Sequence, residues 1–297
     1  MEVDPTPAGA RLRRLLVIFI ALIVSVTVVV TSGVPGVQAD EKNKSHVDFL
    51  PVVTQPKRPA SKVKSAVYLV NEKRAEAGVP PVQNQSELDT NCFEHARYMA
   101  ANNVLTHEQD PDLPFASPGG EECAEHANAW LGSNREDAGW TPDHSIEGWM
   151  QSVAHRLWLL YPTTNLVGYG FFSTEADNRA AAALDVLSSA NFTADEAYTG
   201  WPVKFPTDAS AVPPTRYPIT LQWRYFGSKP ILSETRLATS GGQVIAHKAN
   251  TNLPAGHKGI QIIPNEPLPA NSQFTVSVSG SYEGQPFDYT WTFYSGQ

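Results

Sequence analysis

"SIEGWMQSVAHRLWLLYPTTNLVGYGFFST", residues 145–174, decides the fold of the first half of this chain. Its hydrophobic period changes partway through. Trp149, Val153, Leu157 and Leu160 recur at helical spacing, so Ser145 to Pro162 reads as one helix. Pro162 closes it, because the residue before a proline avoids the α region. "NLVGYGFFST" then reads as a buried strand of β-branched and aromatic residues. A helix followed at once by a buried strand implies layered α and β structure. His155 lies on the helix but off its apolar stripe, about 120° round the axis from Trp149 with Ser152 between them. A second helical face therefore carries Ser152 and His155.

Upstream, "SKVKSAVYLVNEKRAEAG" sets Val63, Val67, Val70, Arg74 and Ala77 on one helical face, with Gly78 as its stop and Pro80-Pro81 beyond. "SELDTNCFEHARYMAANN" is a second helix, with Ser86 as cap, Asp89 completing an imperfect capping box, and a stripe of Leu88, Cys92, Ala96 and Met99. His95 falls at the edge of that stripe and reads as a packed histidine. "THEQDPDLPFASPGG" is a loop and "EECAEHANAWLGS" a short helix. "AAAALDVLSS" suits either helix or strand. Asp143 or Ser145 caps the helix of the opening stretch. "WPVKFPTDASAVPPTRYP" reads as a proline-rich connector.

After it, "PITLQWRY", "GQVIAHKA", "GIQIIPNEPL", "QFTVSVSGSY" and "FDYTWTFYS" are short alternating runs between turn residues, the pattern of an antiparallel sandwich. Phe274, Val276 and Val278 share one face; Thr275, Ser277 and Ser279 share the other. Trp223 and Trp291 read as core. No cysteine pair lies in this half, so an immunoglobulin-like sandwich here lacks the inter-sheet disulfide. The overall class is α+β, with a first domain at 63–203 and the immunoglobulin-like sandwich at 204–297.

The N-terminus sets the compartment. Arg11, Arg13 and Arg14 precede an uncharged apolar run, Leu15 to Val30, then Gly33, Pro35, Gly36 and "VQA" ending at Ala39. This is the layout of a signal peptide cleaved before Asp40, or of a retained membrane anchor. Either places the remainder outside the cytoplasm. Residues 40–62 read as a linker. The chain has two cysteines, Cys92 and Cys123, which make one disulfide in an oxidising compartment and two free thiols in a reducing one. Two cannot form a four-cysteine zinc site. Net charge is −8 with no long basic run after the N-terminus, which argues against nucleic-acid binding. Phosphate loops and dinucleotide fingerprints are absent, so no nucleotide cofactor is expected.

Three blocks of the first domain together resemble the CAP superfamily, the cysteine-rich secretory, antigen 5 and pathogenesis-related-1 proteins, in its bacterial SCP-like branch. They are "LVNEKRAEAGVPPV", "HARYMAANNVLTHEQD", and "WMQSVAHR" followed by "LVGYG". The resemblance implies an α-β-α sandwich with an open cleft. It carries the family's two cleft histidines onto His107 and His155, which can hold a divalent metal such as zinc. Gly120 and Glu121 match the start of a Gly-Glu-Asn motif, with Glu122 in place of the asparagine and Glu125 as a second candidate acid. Ser152 stands where many members have a glutamate. The expected cleft set is thus His107, Glu121, Ser152 and His155, with His107 and His155 as metal residues and Glu121 or Ser152 as catalytic candidates.

Other polar residues near these have plainer readings. His126 could replace a ligand but reads as solvent-facing, His144 precedes the helix of the opening stretch, and Glu108 and Asp110 read as solvated neighbours of His107. Ser152 with His155 lacks the nucleophile-elbow context of a serine hydrolase. The expected function is an exported ligand-binding or interaction module. The resemblance implies lipid, sterol or cell-wall ligands, and membrane contact only through the N-terminal segment. The alternative is a zinc-dependent hydrolase of peptide or envelope polymer, with Glu121 assisting bound water. A third reading makes the sandwich an adhesive module.

Overall fold

Ala181 and Ala183 face one way and Ala182 and Leu184 the other, and this alternation builds the first half of the protein in three layers. The computed structural model describes residues 65–133, 139–174, 178–208 and 210–297. The expected leader, anchor and linker, residues 1–62, lie outside the described residues. Residues 60–297 form one compact unit.

In chain order the first half comprises α1 (Ala66–Glu76), β1 (Gln83–Asn84), α2 (Ser86–Asn102), α3 (Pro118–His126), β2 (Ala127–Ser133), α4 (Pro142–Gln151), α5 (Val153–Leu159), β3 (Leu166–Thr174) and β4 (Arg179–Asp185). Its sheet runs β1-β3-β4-β2, parallel between β1 and β3 and antiparallel elsewhere. Ala181 and Ala183 of β4 pack with Cys92, Tyr98, Met99 and Cys123 of α2 and α3. Ala182 and Leu184 pack with Val70, Ile146, Trp149 and Leu159 of α1, α4 and α5. The ambiguous "AAAALD" is therefore a central strand, and its small side chains let helices approach both faces. The two glycines of "LVGYG" serve the same end. A Cβ on Gly168 would lie 2.2 Å from Leu88 Cβ, and one on Gly170 would lie 2.0 Å from the Cys92 carbonyl carbon. Helix α2 thus rests directly on the β3 backbone.

Arg74, on the buried face of α1, ties this half together. Its guanidinium donates to the carbonyls of Pro80 (2.7 Å), Leu159 (2.8 Å), Tyr161 (3.0 Å) and Thr164 (3.2 Å). Burial pulls its pKa down to about 10, with the ring of Tyr198 opposing.

The second half comprises β5 (Val203–Phe205), β6 (Ala211–Val212), β7 (Ile219–Gln222), β8 (Ile231–Thr239), β9 (His247–Asn250), β10 (Gly259–Pro264), β11 (Gln273–Tyr282) and β12 (Gln285–Ser295). They form two four-stranded sheets, β5-β7-β10-β9 and β6-β12-β11-β8. Phe274, Val276 and Val278 are buried as their alternation requires, and Phe274 and Val276 pair across the ladder with Phe293 and Trp291. Trp223 and Trp291 are core, and the Trp291 indole donates to Pro206 O at 2.8 Å.

Five expectations are corrected. The helix of the opening stretch is two helices. Ser152 is extended (φ −95°, ψ 123°), and the two pieces are anchored separately on β2: the Trp149 indole donates to Ala129 O at 3.0 Å, and Asn128 Nδ2 donates to His155 O at 2.8 Å. The short helix begins earlier, at Pro118, where Ser117 Oγ accepts Gly120 N, and "ANAWLGS" is strand β2 paired with β4. The connector holds strands β5 and β6, which are short enough to fit between prolines. Strand β8 has no counterpart in the sequence reading, because "ILSETRLAT" is an outer strand, largely exposed, with no clean alternation. The caps also move. Gln85, not Ser86, precedes α2, and Asp89 instead accepts from Tyr169 N of β3 at 2.7 Å. Thr141 precedes α4, with its N–H given to His144 Nδ1 at 3.1 Å, while Asp143 is exposed and Ser145 is buried against Tyr169.

Candidate functional site

His107 owes its position to the way α2 ends. Asn103 closes the helix in the left-handed region (φ 54°, ψ 46°), which asparagine tolerates better than most residues, and its N–H returns to Met99 O. The chain then turns over α2, and a buried polar network fixes the turn. His95 Nε2 donates to Thr106 O at 3.1 Å, and Gln109 Nε2 donates to His95 Nδ1 at 3.1 Å. These partners assign the tautomer of His95, protonated on Nε2. Gln109 Oε1 accepts Ser117 N at 2.8 Å, and Gln109 N donates to the Glu121 carboxylate. Burial pushes the His95 pKa down to about 4; the Thr106 carbonyl opposes this and His107 adds to it. His95 is therefore a neutral structural imidazole at neutral pH, as its place at the edge of the stripe suggested.

His107 is exposed at the crest of this turn. Its Nδ1 donates to Ala124 O of α3 at 3.3 Å, leaving Nε2 as a free lone pair. Helix α3 is fixed to α2 by the Cys92–Cys123 disulfide, buried at both ends. His155 comes from the first turn of α5, its carbonyl held by Asn128. The His107 and His155 ring centroids are 6.5 Å apart, with the planes at 32°. Burial and then the neighbouring His107 lower the pKa of His155. A neutral imidazole is the form that accepts a hydrogen bond or ligates a metal.

The structure thus brings together His107 and His155. Among the described residues no hydrogen bond joins the expected acid or hydroxyl to them. One oxygen of the Glu121 carboxylate accepts Gln109 N. Ser152 makes no hydrogen bond to His155 among the described residues; it is the residue that precedes α5, and its side chain does not cap that helix. Glu122 accepts from Asn91 Nδ2 at 3.2 Å, Glu125 is exposed, and His126 Nδ1 donates to Glu122 O at 2.8 Å. Glu108 and Asp110 are exposed. Among the described residues no group of three or more His, Cys, Asp or Glu is placed to hold a metal ion. Two surface cavities lie elsewhere. One of about 240 Å³ is lined by Glu72, Glu76, Asp143 and Glu147 on α1 and α4. One of about 360 Å³ is lined by aromatic residues of the sandwich, including Trp201, Tyr282 and Tyr289.

Sequence reasoning missed two residues. Asn128 carried a signal, since asparagine is rare in a strand and "ANAWL" has no other polar residue. Gln109 carried none, because a glutamine in a polar loop is ordinary until the loop folds over His95.

Parts of the chain are similar to known proteins. Residues 67–193 match the family model CAP, the cysteine-rich secretory protein family. No curated protein matches by sequence. Among solved structures the chain is similar to an outer surface protein of Borrelia burgdorferi, at 16% identity over 41% of this chain and 89% of that one, with TM-score 0.30. It is similar to an extracellular SCP-domain protein of Bacillus anthracis, at 17% identity over 40% of this chain and 38% of that one, with TM-score 0.31. A third similarity is to PcoC, a methionine-rich copper resistance protein of Escherichia coli, at 21% identity over 30% of this chain and 88% of that one, with TM-score 0.24. Among the described residues no helix is long and apolar enough to cross a membrane.

Proposed function

From the premise that residues 67–193 are a CAP domain, we propose that this is an exported protein that binds a ligand at the face formed by His107 and His155. The approach of the two imidazoles to 6.5 Å carries this reading. The His107 ring is positioned by Ala124 O, the backbone of His155 is held by Asn128, and the Nε2 of His107 lies on the other side of the ring from its anchor. Two fixed imidazoles can orient hydroxyl, carboxylate or phosphate groups of a lipid or cell-wall ligand.

The donor set also bears on zinc. A catalytic zinc site takes three protein ligands and a structural one four. Here two imidazoles stand without a third donor among the described residues, and the expected acid, Glu121, already accepts a backbone N–H. The residues suit an exchangeable two-histidine perch and fall short of a hydrolytic centre, so ligand binding is the function adopted. Export rests on the apolar run of residues 15–30 and on the disulfide, which oxidising compartments sustain.

Calorimetric titration tests the site. Zinc is titrated into the whole chain and into His107→Ala/His155→Ala, followed by phospholipid and cell-wall fragments. Saturable binding of any of these that the double variant loses supports the reading. Equal behaviour of the two proteins toward every ligand removes the histidine face as the binding site.

A further inference from the structure

The loop that carries His107 has a second character that the histidine pair does not use. Between Val104 and Ala116 there are three carboxylates, Glu108, Asp110 and Asp112, and no lysine or arginine. All three carboxylates are exposed. The same loop exposes three large apolar side chains: Leu105 at 57%, Leu113 at 40% and Phe115 at 45%. Scattered apolar residues on a surface mean little, but these three fall within eleven residues of one loop. Val104 and Ala116, one at each end of the loop, turn inward onto the cluster around the disulfide, and their neighbours Leu105 and Phe115 turn outward. Asn102 Nδ2 donates to Pro114 O at 2.9 Å, which draws the Leu113–Phe115 segment of the loop against the C-terminal end of α2, three residues before Leu105 in the chain.

The loop is also rigidly presented. Asp110 N donates to Tyr98 OH at 2.8 Å, Asp112 N to Asp110 Oδ1 at 3.0 Å, and Leu113 N to Asp110 O at 3.1 Å. Phe115 sits at φ 65°, a conformation unfavourable for a bulky side chain. Its ring is held by the Arg97 guanidinium, 3.8 Å from the ring centroid. Such strain is found where a surrounding structure fixes a residue for contact with something else. A loop whose shape is set in advance loses little entropy when it binds.

We propose that Leu105, Leu113 and Phe115, with Glu108, Asp110 and Asp112, form a docking surface for a cationic, apolar-bearing polypeptide segment. The apolar side chains supply contact area and the carboxylates pair with lysine or arginine of the partner. Charge decides against a bilayer. Seating the three apolar groups in lipid would carry three carboxylates toward the hydrocarbon beside a single cation, Arg97, whereas a basic peptide neutralises the excess. The surface shares its loop with His107 but uses neither imidazole and does not depend on the pair binding anything.

The test uses the whole chain and fluorescent short peptides alternating lysine with leucine or glutamate with leucine, read by anisotropy. Phosphatidylcholine vesicles serve as a separate probe. The lysine–leucine peptide is expected to bind saturably and more weakly as salt rises, and the glutamate–leucine peptide not to bind. Phe115→Gly suits the positive φ, so it removes the ring without straining the fold, and is expected to weaken binding about tenfold. Glu108→Gln/Asp110→Asn/Asp112→Asn keeps the loop's hydrogen-bond acceptors and is expected to lose both affinity and salt dependence. His107→Ala/His155→Ala is expected to bind the peptide as the wild type does. Absence of saturable peptide binding, equal affinity in the loop variants, or loss of binding in the histidine variant overturns the proposal. So does vesicle binding that Phe115→Gly abolishes.

Discussion

Replacing Gly170 by alanine tests whether α2 truly rests on the backbone of β3. The added Cβ would stand 2.0 Å from the Cys92 carbonyl carbon, 2.0 Å from Phe93 N and 2.2 Å from Cys92 O. All three are backbone atoms, so no rotamer change can make room. Ordinary contact begins near 3.4 Å, so α2 must retreat by about 1.4 Å. The retreat would open the packing beneath Cys92, Ala96 and Met99, which are completely buried, and would shift Cys123 through the disulfide. Both overpacking and the gap left beside it destabilise, and the expected loss is about 3 kcal/mol, the upper end for an added methyl in a packed core. In urea this lowers the unfolding midpoint by roughly 1 M. Gly241→Ala is the control, because its Cβ would meet nothing closer than 3.8 Å. It should stay within about 0.5 kcal/mol of wild type. A Gly170→Ala midpoint indistinguishable from that of Gly241→Ala would refute the argument for direct helix-on-strand contact.

Arg74→Met should cost about 3–5 kcal/mol, because four carbonyls, three of them in buried bonds, lose a charged donor at once. A loss under about 1 kcal/mol in the same urea assay would mean that water replaces the guanidinium at little cost. Stability should also fall in mild acid. Burial holds the His257 pKa down to about 3, with Lys258 lowering it further, and holds His95 to about 4, whereas both titrate near 6.5 when unfolded. Between those values the unfolded chain binds the extra protons, so the contribution of each group is complete above about pH 6.5 and declines as pH falls toward its folded pKa. The decline is at most about 1.4 kcal/mol per pH unit for each group. His257→Phe should flatten this slope while keeping an aromatic ring against Trp158; an unchanged slope across that window would show that His257 does not contribute.

Some of this protein was written locally and some was not. The stripe of Leu88, Cys92, Ala96 and Met99 was legible because a 3.6-residue period on one helix reports which face is buried, whatever covers it. The same holds for Phe274, Val276 and Val278 with their period of two. Motif order around His107, His155 and "LVGYG" was enough to identify the CAP domain. The break at Ser152 was not legible, since nothing in "WMQSVAHR" interrupts a helical period; it exists because Trp149 and His155 are held by successive residues of a strand that precedes them in the chain. Strand β8 escaped because an outer strand packs too little to impose alternation. The fate of Glu121 was likewise decided at a distance. The sequence supplies a carboxylate one turn before Ala124, but only the folded loop brings Gln109 N to it. Periodicity records what each segment buries and therefore survives in the sequence alone. Which polar group pairs with which depends on segments that meet only in the folded chain, and the tertiary structure alone decides it.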